Sequence, residues 1–323
     1  MWLDETFNLK YPLLEGGMAY VGTAEFAAAV SEVGALGQIG SGSMPAAMVR
    51  AAIHRVRELT DRPFGVNVML MNPAADEIAG ILAEEEVPLI TTGAGSPGKY
   101  MSMWKDAGCK VIPVVPSLAL AQRMERQGAD AVVAEGQEAG GHIGEQTSMV
   151  LWPLIADNIS IPMIAAGGIA APRQVRAAIE LGAEGFQLGT LFLSAEEAPI
   201  HPAYKEAVLK ATDTKITVMG RTGGVPCRVL KNKFSRDYMV KEREGADIQE
   251  LEELLIGSLR SAVEHGDDEK GAFMMGLAAA QITEIKPLSR LLEDLFRGVN
   301  IPPSGKPPVR HHSEDISEDT IVR

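Results

Sequence analysis

The chain has 323 residues, of which 46% are hydrophobic and 23% charged, a composition typical of a globular protein with a substantial core. Its formal net charge of −13 argues against a nucleic-acid partner, because such partners require basic surfaces. The two cysteines, Cys109 and Cys227, lie far apart and indicate a reducing compartment rather than a disulfide framework. Since the first residues lack a signal-peptide pattern and no run of about 18 apolar residues occurs, we expect a cytoplasmic protein without a membrane span.

From residue 11 onward, short apolar runs alternate with helix-like stretches. Most of the runs are apolar almost throughout, which is typical of parallel strands buried on both faces. Thr23 as an N-cap and Pro172 in a first turn are start signals for two of the helices. The predicted strands are residues 12–15, 36–40, 64–70, 89–92, 111–116, 131–135, 163–166 and 186–188, and the predicted helices are residues 23–33, 45–59, 73–85, 172–181, 248–265 and 288–296.

This alternation predicts a (β/α)8 TIM barrel of the α/β class, which needs about 250 residues. A doubly wound open sheet is the alternative, and it would be favoured by a G-x-G-x-x-G turn directly after the first strand. At that position the chain reads Glu15-Gly16-Gly17-Met18, which lacks the motif. We therefore expect the barrel.

The rhythm of strands and helices changes after residue 190. We predict that residues 1–199 and 270–300 form the barrel, and that residues 200–269 form a smaller inserted subdomain over one mouth of it. The prolines and charged residues at 301–323 predict a disordered tail.

The segment from Lys205 to Arg243 reverses the acidic charge of the chain, with ten basic and four acidic residues. One interpretation is a solvated surface, because runs of charge are usually exposed. The other is a docking patch for an acidic partner or a polyphosphate, since complementary fields raise association rates. The residues alone leave both interpretations open.

Glycine and polar residues follow several predicted strands, at the end of a barrel where active sites lie. The clearest cases are Gly167-Gly168 after the seventh strand and Gly189-Thr190 after the eighth. Loops at these positions commonly bind a phosphate through backbone N–H groups, and Thr190 adds a hydroxyl donor. We therefore predict a phosphate cradle rather than two tight turns.

The sixth predicted strand ends at Glu135 and opens onto residues 136–144, a glycine-rich loop with a single histidine, His142. Glycine lets the backbone approach a ligand closely, and such strand ends usually bind something. Asn67 and Glu135 offer hydrogen bonds to a polar ring edge or a ribityl chain, and Met18 can pack on an aromatic face. These features indicate flavin mononucleotide (FMN). Neither a metal-ligand spacing nor a nucleophile motif is present.

Several stretches, in order along residues 8–300, resemble the flavin-dependent enoyl-acyl-carrier-protein reductase II of bacterial fatty-acid synthesis. That reductase belongs to a wider group with the nitronate monooxygenases, and the two share the barrel, the flavin and the Gly-Gly-His loop. The resemblance is carried by residues 11–19, 64–70, 91–95, 111–117, 128–130, 135–136, 138–144, 165–170, 187–190, 201–202 and 231–232.

The resemblance implies an FMN enzyme that reduces trans-2-enoyl thioesters on acyl carrier protein with NAD(P)H, and it places His142, the catalytic residue, at the reacting face of the flavin. The basic segment would then attract the acidic carrier and its anionic phosphopantetheine arm. Similar enzymes are homodimers and respond to a monovalent cation. The family often reads Met-Ala-Gly-Gln where residues 274–277 read Met-Met-Gly-Leu, and we assign no site residue there. The residues implied to bind FMN are Gly17, Met18, Asn67, Glu135, Gly140, Gly141, Gly167, Gly168, Gln187, Gly189 and Thr190.

Two other functions remain open at this point. A nitronate monooxygenase would oxidise alkyl nitronates with oxygen on the same barrel and would not require NAD(P)H. A non-enzymatic barrel that senses flavin or phosphate would bind the cofactor without turnover, but such a site would not need a histidine in the glycine loop.

Overall fold

The computed structural model describes residues 1–42 and 44–305. The predicted disordered tail at 301–323 therefore lies outside the described residues from residue 306 onward.

Eleven strands occur in the described residues, and eight of them form one parallel sheet. They are short and mostly buried, as expected for barrel strands covered on both faces. In chain order they are β1 (Leu13–Glu15), β2 (Gly37–Gly40), β3 (Phe64–Met69), β4 (Leu89–Gly93), β5 (Lys110–Val115), β6 (Val132–Glu135), β7 (Gly141–His142), β8 (Met163–Ala166), β9 (Phe186–Leu188), β10 (Ile216–Met219) and β11 (Cys227–Leu230).

The parallel sheet curls into a barrel. Its strand order is β1-β9-β8-β6-β5-β4-β3-β2, and a bridge between Leu14 and Leu36 brings the two outer strands together. The Glu15 N–H donates to the Leu36 carbonyl at 2.9 Å across this closure. The predicted (β/α)8 barrel is thus confirmed, and each of its strands ends within one residue of the predicted boundary.

Helices follow the strands and cover the outside of the barrel. Thr23 accepts a hydrogen bond from the Phe26 N–H at the start of α2, and Pro172 occupies the first turn of α8, as their start signals predict. The helices are α1 (Trp2–Phe7), α2 (Ala24–Glu32), α3 (Ala46–Leu59), α4 (Ala75–Glu84), α5 (Met101–Asp106), α6 (Leu118–Arg126), α7 (Ser148–Ala156), α8 (Pro172–Glu180), α9 (Pro202–Leu209), α10 (Lys233–Glu244), α11 (Ile248–Leu255), α12 (Ser258–Arg260) and α13 (Leu288–Leu295).

The prediction of one continuous helix at 248–265 is wrong. Helix α11 ends at Leu255, and Gly257 then adopts a left-handed conformation with φ 75°. A residue with positive φ cannot continue a right-handed helix. The chain resumes as α12 and a π-helical turn at Ser261–His265.

The barrel has an outer core against the helices and an inner core between its strands. The inner core includes Leu14, Leu36 and Ile164, and Leu3 and Phe7 of α1 belong to the same cluster. Helix α1 therefore packs against the interior of the barrel. Burial of these apolar side chains is the main force that holds the strands together.

A third hydrophobic cluster lies in the region predicted as the inserted subdomain. It includes Cys227, Val229, Phe234 and Tyr238, and strands β10 and β11 form the sheet beside it. Tyr204 of α9, in contrast, is buried in the outer core of the barrel. The domain boundaries at 200 and 269 stay a prediction.

Candidate functional site

A cavity of about 450 Å³ opens at the carboxyl ends of the barrel strands, where ligand sites of this fold lie. Its size falls within the usual range for small-molecule sites. The structure brings every residue of the predicted site to its wall. They are Gly17, Met18, Asn67, Glu135, Gly140, Gly141, His142, Gly167, Gly168, Gln187, Gly189 and Thr190.

The loops after β8 and β9 expose backbone donors on one side of this cavity. Gly167 and Gly168 have φ values of 96° and 77°, conformations that other residues rarely adopt. The amides of Gly168 and Thr190 donate to no described residue. A short 3-10 helix, Thr190–Ser194, begins at the second loop. This geometry can bind an anion, since free N–H groups at a helix start attract negative charge.

The hydroxyl of Thr190 has a second contact, which links the barrel to a later segment. Its Oγ1 accepts a hydrogen bond from the Gly276 N–H at 2.9 Å, and its own proton stays available to a ligand. The next residue, Leu277, donates its N–H to the Glu138 carbonyl at 2.9 Å. Residues 274–277 therefore connect the loop after β9 with the glycine-rich loop after β6.

The glycine-rich loop is not a free turn, because its centre forms strand β7. Gly141 pairs with Arg228 and His142 pairs with Cys227, so that β7 joins the antiparallel sheet of β10 and β11. A β-carbon on Gly140 would lie 2.6 Å from the backbone carbon of Met275. Glycine is therefore required there for close approach of two backbones.

His142 faces the cavity from this ordered strand. Its imidazole forms no hydrogen bond with a described residue, and its side chain stays exposed to the open cavity. The surrounding walls still remove part of its water, and this burial lowers the pKa of His142 below its usual value. The ring is consequently neutral near pH 7 and can donate one N–H.

Two polar side chains in the cavity wall lack protein partners. The buried Oε1 of Gln187 has no hydrogen bond within the described residues. Glu135 is half-buried and also forms none there, and burial raises its pKa to about 7. Because buried polar groups are normally hydrogen-bonded, both positions indicate contacts that a ligand would complete.

Asn67 reaches the cavity from the interior of β3. Its Nδ2 donates to the Thr91 hydroxyl at 2.9 Å, and Gly17 packs directly against its side chain. A β-carbon at position 17 would lie within 2.6 Å of Asn67 Oδ1. Each of the two residues therefore restricts the position of the other.

The sequence did not identify the groups that hold the loop after β6. The Glu138 carboxylate accepts from the Ser148 N–H at 3.0 Å and from its hydroxyl at 2.8 Å. Arg228 donates to the Gln137 carbonyl at 3.1 and 2.7 Å, and its burial lowers its pKa. The polar content of the loop was visible in the sequence, but its pairing with a distant strand was not.

The charge count of the basic segment overstates its free charge. Lys233 pairs with Glu269 at 3.1 Å and Lys241 pairs with Glu250, both from residues 244–269, which carry nine acidic residues and one basic residue. The exposed side chains of Lys231 and Arg236 form no ion pair with a described carboxylate. Lys231 and Arg236 are thus two of the cations on this face that no described carboxylate compensates, together with the exposed Lys215 and Arg243.

Within residues 1–42 and 44–305, no group of three or more His, Cys, Asp or Glu side chains could hold a metal ion. In the same part of the chain, no helix has both the length and the apolar character needed to span a bilayer.

The fold and cavity place this protein among the (β/α)8 barrels with a ligand site at the carboxyl ends of the strands. A family model described as nitronate monooxygenase matches residues 2–86 and 77–298. The chain belongs to this family, which contains flavin-dependent oxidoreductases.

Three relatives show how far the similarity extends. FabK from Thermotoga maritima superposes with a TM-score of 0.88 at 48% identity, over 91% of this chain and 94% of that chain. A nitroalkane oxidase from Streptomyces ansochromogenes has a TM-score of 0.81 at 27% identity, over 91% and 96% of the two chains. A probable nitronate monooxygenase from Staphylococcus aureus is 29% identical over 93% of this chain and 98% of its own length.

Proposed function

We propose that this protein is an FMN-dependent enoyl-acyl-carrier-protein reductase that reduces trans-2-enoyl thioesters with NAD(P)H. The observation that carries this proposal is the likeness to FabK, an enoyl-acyl-carrier-protein reductase II, at 48% identity over nearly the whole of both chains. NAD(P)H as the reductant, a bound monovalent cation, a homodimer and a cytoplasmic location stay predictions.

The cavity fits FMN in its chemistry. The free amides of Gly168 and Thr190 suit the phosphate, and the unpartnered Oε1 of Gln187 suits a hydroxyl or ring N–H donor. Asn67 adds a polar group on β3, across the barrel from β8, and Glu135 adds one on β6, the strand next to β8. Glycines along the wall leave room for a broad, flat ring, because each lacks the side chain that would occupy it.

In this mechanism the flavin supplies hydride transfer, and the protein supplies orientation and electrostatics. Negative charge develops on the thioester carbonyl oxygen as the β-carbon is reduced. A hydrogen-bond donor at that oxygen stabilises the transition state. We assign this donor to an imidazole N–H of His142, which the lowered pKa keeps in the neutral form and strand β7 holds at the cavity wall.

The position of His142 depends on the inserted region. Cys227 of β11 pairs with His142, and the Ile143 N–H donates to the Pro226 carbonyl at 3.0 Å. A partner that binds to the inserted region is therefore connected to the His142 loop through these backbone contacts. We propose acyl carrier protein as that partner, attracted by the uncompensated charges of Lys231 and Arg236.

Nitronate oxidation is the second candidate function, and the family model and the Staphylococcus relative favour it. Two assays separate the two activities, one without oxygen for the reductase and one in air for the monooxygenase. NAD(P)H oxidation that depends on a crotonyl thioester supports the reductase. Oxygen uptake that depends on an alkyl nitronate, with no thioester-dependent rate, would support the monooxygenase instead.

A further inference from the structure

A chain of polar side chains runs through the barrel interior from the backbone of β1 to the cavity. Gln38 on β2, Asn67 on β3 and Thr91 on β4 alternate along their strands with residues of the outer core. Gln38 Nε2 donates to the Glu15 carbonyl at 2.9 Å. The Thr91 hydroxyl donates to Gln38 Oε1 at 2.6 Å, and Asn67 Nδ2 donates to the Thr91 oxygen at 2.9 Å.

The backbone carbonyl of Glu15 sets the direction of every hydrogen bond in this chain. A carbonyl oxygen only accepts, so the amide nitrogen of Gln38 must face it and Gln38 Oε1 must face Thr91. Because Oε1 also only accepts, the single hydroxyl proton of Thr91 points to it. The Thr91 oxygen then offers lone pairs to Asn67, and the NH2 group of Asn67 must face it.

The amide of Asn67 is thereby left with its oxygen available to the cavity. Asn67 Oδ1 forms no hydrogen bond with a described residue, and the side chain lines the cavity. Gly17 packs against it and limits its rotation.

We propose that Gln38 and Thr91 form a polar relay that holds Asn67 with Oδ1 presented as an acceptor to an N–H or O–H donor of the ligand. Gln38 and Thr91 are positioning residues, and Asn67 is the residue that contacts the ligand. The inference rests on the proposed function for the identity of that ligand. In oxidised FMN the candidate donors are the ring imide N–H and the ribityl hydroxyls.

Thr91→Val tests the relay, because it keeps the shape of the side chain and removes the hydroxyl. The adjacent Thr92 provides a matched control: it is equally buried, and its Oγ1 has no hydrogen-bond partner among the described residues. We expect Thr91→Val to raise the Kd for FMN by about tenfold, the effect of losing one ordered hydrogen bond of about 1.4 kcal/mol. It should also shift the flavin absorption maximum and reduction potential. Thr92→Val and Thr91→Ser should match the wild type in all three measurements.

A second pair of variants, both of which lose the donor to Thr91, tests whether Asn67 presents an acceptor to the cavity. Asn67→Asp keeps an acceptor toward the cavity, and Asn67→Leu removes it. We expect the Asp variant to bind FMN at least tenfold more tightly than the Leu variant. If the amide nitrogen faced the ligand instead, the carboxylate would repel the ligand acceptor and the Asp variant would bind as weakly as the Leu variant.

If the wild type binds FMN, two results would overturn the relay while the proposed function stands. One is that Thr91→Val and Thr92→Val have the same Kd for FMN and the same flavin spectrum. The other is that Asn67→Asp binds FMN no more tightly than Asn67→Leu. Absence of FMN binding by the wild type is a different outcome, which would overturn the proposed function and this assignment of the ligand together.

Discussion

Gly17 and Asn67 occupy adjoining space at the carboxyl end of the barrel, and a β-carbon on Gly17 would lie within 2.6 Å of Asn67 Oδ1. Gly17 follows β1 and Asn67 lies within β3. The glycine is therefore required by a neighbour that is distant along the chain, and it sets the position of a cavity side chain.

This contact predicts that Gly17→Ala weakens FMN binding. The added methyl group would displace the Asn67 side chain, and we expect the Kd for FMN to rise by about tenfold or more. The matched control is Gly80→Ala in α4, where nothing lies within 4 Å of an added β-carbon. Equilibrium titration followed by FMN fluorescence measures the Kd of both variants, and equal Kd values would contradict the packing argument.

Replacement of His142 should separate cofactor binding from turnover. We expect His142→Ala to retain FMN and to lose about 10²- to 10³-fold in kcat with an enoyl thioester, the usual effect of removing one donor to a developing oxyanion. His54→Ala is the control, because His54 pairs with Glu85 on the outer surface. Turnover at the wild-type rate in the His142 variant would contradict the assignment of His142 as the donor.

The buried carboxyl of Glu15 predicts a pH-dependent stability. Burial raises the pKa of Glu15 to about 8, against 4.5 for an ordinary glutamate. Between these values the folded protein keeps a proton that the unfolded chain releases, so the free energy of unfolding falls as pH rises from about 4.5 to 8. Since one pKa unit corresponds to about 1.4 kcal/mol, the loss can reach a few kcal/mol.

Glu15→Gln should remove this part of the pH dependence, because glutamine does not titrate and still accepts from the Gln38 N–H. Urea unfolding at pH 5 and pH 8 gives the comparison, with Glu253→Gln, a change at an exposed carboxylate, as the control. The raised pKa of Glu135 also makes the free energy of unfolding fall as pH rises. The quantity to compare is therefore the difference in this pH dependence between the wild type and each variant. Parallel pH curves for the wild type and Glu15→Gln would refute the assignment.

Charge reversal on the inserted region tests carrier docking. Lys231→Glu with Arg236→Glu should raise the apparent KM for an enoyl-acyl-carrier-protein substrate severalfold and spare crotonyl-CoA, and the difference should shrink as salt increases. Lys210→Glu is the control, because Lys210 already pairs with Glu206 at 2.9 Å. An equal rise in KM for both substrates would argue against protein docking.

The barrel and most of its strand boundaries follow from the sequence, because buried parallel strands require nearly continuous apolar runs. The pairs Gly167-Gly168 and Gly189-Thr190 were also recognisable, since they stand at strand ends. Local patterns of this kind need no knowledge of distant residues. The helix at 248–265 was mispredicted because its apolar spacing continues through Gly257, where the backbone turns left-handed.

What the sequence alone determined was a barrel with a glycine-lined site and a histidine beside it. Only the tertiary structure decided how that site is held: β7 pairs with β11, Arg228 is buried against the Gln137 carbonyl, and Gln38 and Thr91 orient Asn67. The physical reason is that these hydrogen bonds join residues far apart in the chain. Their partners and directions depend on which strands become neighbours, and strand neighbours are set by closure of the whole barrel.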